Sequence, residues 1–152
     1  MSITPLKPYF SDRDIEFISK EFCNILRGNG FLTMGKFGEQ FENEFAAYTQ
    51  SKHCIGVGNG LDALTLILMA YGIKSGDEVI CPALSFIAPA NMVILSGAKL
   101  VLVDIDPVTL TINPELIEKK ITKKTKAIMP VHLYGNLFQT HKLRKKIKKN
   151  IF

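Results

Sequence analysis

The sequence predicts an α/β fold, a three-layer sandwich in which helices cover both faces of a parallel sheet. Short apolar runs begin at Cys54 (CIGVG), Glu78 (EVICP), Leu100 (LVLVD) and Ala127 (AIMPV), and a fifth starts at Ile151. The intervals between them are 24, 22, 27 and 24 residues, each with room for one crossover helix, as parallel βαβ units require. Runs such as VLV and AIMPV lack polar alternation, the pattern of strands covered on both faces.

The elements follow in order. A helix is expected from Asp12 to about Leu26, with Ser11 as its cap, and a second from about Phe37 to Tyr48, where Phe37, Phe41, Phe45 and Tyr48 share a face. Gly28, Gly30 and Gly35 punctuate the link between them. Between the apolar runs, Leu61–Tyr71 is apolar nearly all round, Ala88–Leu95 is apolar, and Pro114–Ile121 opens with a proline suited to a first helical turn. The basic segment 141–152 closes the set, with Leu143, Ile147 and Ile151 at a spacing of four on one side of an amphipathic helix.

With 152 residues, 47% hydrophobic and 22% charged, the chain is composed like a globular domain with a core. Its net charge of +5 is local: residues 141–152 hold six Lys or Arg and no acid, which leaves 13 basic against 14 acidic residues elsewhere. A solvated lysine face explains that segment, so neither nucleic acid nor a membrane surface is expected as a partner. No stretch approaches the roughly 20 apolar residues of a membrane span. The N-terminus lacks the layout of a signal peptide, and the expected compartment is the cytoplasm. Cys23, Cys54 and Cys81 are odd in number and have no CxxC spacing, so buried small hydrophobes are expected rather than a metal site or a disulfide.

In an open parallel sheet, ligands bind at the carboxyl ends of the strands, so the residues after each run are the candidates. Val57-Gly58-Asn59-Gly60-Leu61-Asp62 joins a run to a helix start. Free N–H groups and the helix dipole suit a phosphate there, and Gly60 lets an anion come close. A tight turn that needs glycine for itself is the other reading. Neither GxGxxG nor GxxxxGK[ST] occurs, which removes support from dinucleotide and P-loop readings. Phe86, in PALSF after the second run, is either a face for a planar ring or a core residue. Asp104 and Asp106 might suggest a metal, but Asp-Pro turn chemistry explains them and no metal site is expected. His132, Tyr134 and Asn136 after the fourth run bring an imidazole, a phenol and a carboxamide to the same edge.

Together these segments resemble the DegT/DnrJ/StrS family of pyridoxal-phosphate (PLP) dependent aminotransferases that act on nucleotide-linked keto-sugars. The resemblance runs from GKFGEQFE (35–42) through GNGLDAL (58–64), GIKSGDEVICP (72–82), SFIAPAN (85–91) and GAKLVLVDID (97–106) to TKAIMPVHLYG (125–135). It implies the large domain of a fold-type-I PLP-dependent transferase, usually a homodimer with sites at the subunit interface. By the same resemblance, Gly60 and Leu61, with Asp62 beside them, correspond to the phosphate-binding turn and Phe86 to the aromatic stacked on the pyridine ring. His132, Tyr134 and Asn136 then correspond to a segment at the substrate mouth. Leu61 in NGLDAL resembles enzymes that aminate the 3-keto position of a dTDP-linked 6-deoxyhexose, with glutamate as donor, for amino sugars of surface polysaccharide.

The family's pyridine-binding Asp and the lysine that holds PLP covalently are expected beyond Phe152, so no catalytic residue is assigned within the chain. The expectation is one incomplete large PLP-binding domain, with helices over 1–50, βαβ units over 51–152, no small C-terminal domain and no activity by itself. A non-catalytic phosphate-ligand-binding or dimerisation module of the same descent, or a different α/β phosphate-ligand protein, remains open on the sequence.

Overall fold

The computed structural model describes residues 7–144, 147 and 151–152. Two compact units divide the chain, Met1–Gly56 and Val57–Phe152. The first carries α1 (Asp12–Arg27) and α2 (Lys36–Thr49). The expected Ser11 cap is formed as a capping box: Ser11 Oγ accepts from the Asp14 N–H at 3.2 Å, and Asp14 Oδ2 accepts from the Ser11 N–H at 3.1 Å. On α2, Phe41 and Phe45 stack at 5.4 Å between centroids, and Phe45 meets Tyr48 at 6.4 Å. Neither helix buries a residue among those described, so both keep their apolar faces exposed.

The second unit runs α3 (Gly60–Ala70), β1 (Glu78–Pro82), α4 (Ala88–Leu95), β2 (Lys99–Val103), α5 (Pro114–Lys120), β3 (Thr125–Ile128) and α6 (Thr140–Arg144), with a single 3-10 turn at Leu133–Gly135. The strands form a parallel sheet in the order β2-β1-β3, with Glu78 opposite both Lys99 and Thr125. Every residue of β1 is buried, as its unbroken apolar run required. Alternate residues serve two cores. Val79, Cys81 and Ala127 join Leu68 of α3 and Met92 and Val93 of α4, while Ile80, Val103 and Ile128 join Ile117 of α5 and Leu143 of α6. This is the expected three-layer arrangement, except that β2, whose VLV run was expected to be covered on both faces, keeps Leu102 49% exposed and buries only Val103. Right-handed crossovers that leave in opposite directions must lie on opposite faces. The β1-to-β2 step uses α4 on one face, and the β2-to-β3 step, which passes over β1, uses α5 on the other.

Two expectations need correction. The run at Cys54 forms no strand, and Ile55 in it is 79% exposed. A strand exists only by pairing with a ladder partner, and no described residue pairs with this one. The helix expected over 141–152 is described only as far as Arg144; positions 145, 146 and 148–150 lie outside the described residues. Leu143, Ile147 and Ile151 do pack on one core, but Ile151 adjoins Phe152, which pairs with β3. Phe152 N–H donates to Lys126 O at 2.9 Å and Phe152 O accepts from Ile128 N–H at 2.8 Å. The fifth run is therefore laid beside β3 as the periodicity suggested, and Ile151 belongs to it rather than to a helix.

Candidate functional site

β1 and β3 are parallel neighbours, so the loops that follow them leave the sheet at the same edge. α3 leads into the amino end of β1, which puts its own N-terminus toward the carboxyl edge. It packs against α4, where Thr65 Oγ1 donates to Met92 Sδ at 3.0 Å. The topology thus gathers the Gly58–Asp62 turn, the Phe86 loop and the His132–Asn136 turn at one edge of one unit.

Asn59 is the N-cap of α3. Its Oδ1 accepts from the N–H groups of Leu61 at 2.9 Å and Asp62 at 3.0 Å, while its Nδ2 donates to Asp62 Oδ2 at 2.9 Å. Two of the donors expected to face a phosphate are therefore occupied by a side chain. Gly60 N–H has no acceptor among the described residues, and a Cβ built on Gly60 meets nothing within 4 Å. At Gly58 the same test finds Asp62 Oδ2 at 2.7 Å. A side chain at Gly58 would displace only the mobile Asp62 carboxylate, whereas Gly60 keeps space open beside a free donor at the positive end of an 11-residue helix. The Asn59 cap was missed on the sequence, although Asn directly before a helix start is itself a cap signal.

Phe86 stands between β1 and α4 and is 73% exposed. Its ring belongs to neither core cluster of the described residues and is presented at the carboxyl edge. Its neighbour Ser85 has a buried Oγ with no hydrogen-bond partner among the described residues. Most buried hydroxyls in native proteins are bonded to protein or ordered water, and this one is open to either a water or a ligand. No signal in the sequence marked it.

His132 and Asn136 are both engaged. His132 Nδ1 accepts from the Phe138 N–H at 2.9 Å, and Asn136 Nδ2 donates to Thr109 O at 3.1 Å. Tyr134 between them is 91% exposed and holds a left-handed backbone at φ 52° and ψ 27°, followed by Gly135 at φ 83°.

The Asp-Pro segment is a turn. Asp106 Oδ1 accepts from the N–H groups of Val108 and Thr109, both at 2.9 Å, and the Thr109 bond, followed by that of Val108, holds its carboxyl below the usual range. No cluster that could hold a metal exists among the described residues. Burial pushes the Cys81 thiol up to about 12, the behaviour of an inert core residue. Cys23, expected to be buried, is exposed, and Cys54 is half-buried. No helix of the described residues is long and apolar enough to cross a membrane.

A free N–H at a helix start with open space above it, an exposed aromatic face and an unsatisfied buried hydroxyl fit a planar ring that carries a phosphate. Residues 12–150 match the model of the DegT/DnrJ/EryC1/StrS aminotransferase family. A "Pleiotropic regulatory protein" of Geobacillus stearothermophilus is 48% identical over 120 residues, 79% of this chain and 32% of that protein. The dTDP-3-amino-3,6-dideoxy-alpha-D-galactopyranose transaminase of Aneurinibacillus thermoaerophilus is 49% identical over 116 residues, 76% of this chain and 32% of that protein. Among solved structures, NtdA from Bacillus subtilis with bound cofactor PMP superposes with a TM-score of 0.85 at 39% identity, over 89% of this chain and 31% of that one. The chain spans about a third of the length of the relatives it matches.

Proposed function

This chain belongs to the DegT/DnrJ/EryC1/StrS aminotransferase family, and from that premise we propose that the protein carrying it is a PLP-dependent aminotransferase of nucleotide-linked keto-sugars. The observation that carries this reading is the exposed Phe86 at the carboxyl end of β1, on the edge where Gly60 offers a free N–H. PLP, when bound, supplies the electron sink for moving an amino group from donor to sugar. The chain's part is to hold it. The Gly60 N–H and the dipole of α3 would hold the phosphate, the Leu61 and Asp62 N–H groups would add to it only if released from Asn59 Oδ1, and Phe86 would lie against one face of the ring. The Asp62 carboxylate, bonded to Asn59 Nδ2, steadies the turn rather than facing an anion of its own sign.

His132, Tyr134 and Asn136 stand at the substrate mouth of the same edge. The substrate is proposed to be a dTDP-linked 3-keto-6-deoxyhexose with glutamate as amino donor, in amino-sugar synthesis for surface polysaccharide. Leu61 in NGLDAL supports this, as does the name of the Aneurinibacillus relative. A homodimer in the cytoplasm is the proposed working state. A second reading, a regulatory binding module that keeps the phosphate turn without turnover, is favoured by the name of the Geobacillus relative. Side-by-side transamination by the complete protein decides among these. Faster glutamate-dependent amination of the 3-keto than the 4-keto sugar is expected. A preference for the 4-keto sugar removes the substrate assignment, and turnover of neither, with PLP still bound, leaves the regulatory reading.

A further inference from the structure

We infer that the Asn59 carboxamide is an internal rival of the cofactor's phosphate: its Oδ1 holds two α3 donors that the phosphate takes over on binding, so Asn59 stabilises the cofactor-free protein and lowers its affinity for PLP. The inference rests on the proposed aminotransferase reading and deepens it. Asn59 Oδ1 accepts from the N–H groups of Leu61 at 2.9 Å and Asp62 at 3.0 Å. Gly60 N–H, a third donor of the same first turn, has no acceptor among the described residues, and a Cβ built there meets nothing within 4 Å. Asn59 Nδ2 donates to Asp62 Oδ2 at 2.9 Å, and that oxygen stands 2.7 Å from the position of a Gly58 Cβ. The Asn59–Asp62 pair thus closes the turn on the Gly58 side and leaves it open at Gly60.

The N–H groups of a helix's first turn all point out of its N-terminus, so an anion that reaches one of them lies in range of the others. A phosphate that arrives over Gly60 therefore meets Asn59 Oδ1 as a competitor for the Leu61 and Asp62 donors. Charge decides the contest. Hydrogen bonds to an ionised acceptor are about twice as strong as neutral ones, and a phosphate also gains from the positive end of the helix dipole, where a neutral carboxamide gains little. All three bonds of the Asn59 side chain are exposed, so water replaces them at small cost when the side chain swings out. What the cap contributes to the cofactor-free fold is then withheld from PLP affinity, because the two are legs of one thermodynamic cycle.

The test uses the complete protein, stripped of PLP and titrated with it by absorbance, together with thermal melts with and without saturating PLP. Asn59→Ala is expected to lower the Tm of the cofactor-free protein by a few degrees and to tighten the PLP Kd roughly three- to tenfold, the equivalent of one helix cap. At saturating PLP its Tm should match the wild type. Asn59→Ser, which keeps a capping oxygen, should stay near the wild type in both readings. Pyridoxal, which lacks the phosphate, should bind the wild type and Asn59→Ala equally. Equal Tm losses with and without PLP at an unchanged Kd would make Asn59 a permanent cap, and a weaker PLP Kd in Asn59→Ala would make it a phosphate contact; either overturns the inference. So would a pyridoxal affinity that shifts together with that of PLP. Should Asn59→Ala not survive removal of PLP, Asn59→Gly, which costs a helix cap less, carries the same comparison with smaller shifts. Failure of the wild-type protein to bind PLP would instead sink the aminotransferase reading.

Discussion

Gly58 and Gly60 are two residues apart and answer different demands. A methyl group at Gly58 would stand 2.7 Å from Asp62 Oδ2, so the carboxylate must swing away and release Asn59 Nδ2. The Asn59 Oδ1 cap bonds stay in place, so Gly58→Ala is expected to lower stability by about 0.5 kcal/mol, the lower end for one hydrogen bond, as read by thermal melting of the complete protein. Gly60→Ala meets open space at a helical position, so the melting temperature should not fall. Its methyl group narrows the approach to the free N–H, and a cofactor titration followed by absorbance should show weaker PLP binding. Phe86→Ala should weaken the same titration by about 1 kcal/mol, the scale of an aromatic stacking pair. An unchanged affinity would leave the exposed ring without a role at the cofactor.

At the scale of the elements, the first residue of β1 ties the sheet to the α5–β3 loop. The Glu78 carboxylate accepts from Thr122 Oγ1 at 2.6 Å and from Lys99 Nζ at 3.0 Å. The Thr122 bond first, then that of Lys99, holds it below the usual carboxylate range. A group whose folded pKa is depressed stabilises the fold above its unfolded pKa and loses that contribution as pH falls through its folded pKa. Acid melts should therefore fall more steeply for the wild type than for Glu78→Gln below the ordinary glutamate range. The helices α3, α4 and α5 were legible in the sequence almost to the residue, since their apolar runs and the Pro114 start are local signals. The Cys54 run was not, because strand formation depends on a partner and its own apolarity cannot supply one. The site divides in the same way. Phe86 stands where the end of β1 puts it and the Gly58–Asp62 turn where α3 starts, whereas the bond from Asn136 to Thr109 spans distant loops, and a left-handed tyrosine defies the local preference that sequence reading uses.

At the scale of the whole chain, α1 exposes Ile15, Ile18, Phe22 and Leu26, and α2 exposes Phe41, Phe45 and Tyr48. Apolar faces of this extent recruit other surfaces. Residues 1–152 expressed by themselves are expected to self-associate in light scattering, with Phe22→Lys reducing the effect, and to transaminate no keto-sugar in a direct assay. The sheet order has a different consequence. β1, the earliest in the chain of the described strands, lies between the other two, and β2 and β3 add to its two flanks in the order in which they are made, followed by Phe152 outside β3. Among the described strands, none has to be inserted between two that have already paired. A sheet that grows outward from its oldest member can form as the polypeptide is synthesised, each crossover helix closing over its own face before the next strand emerges.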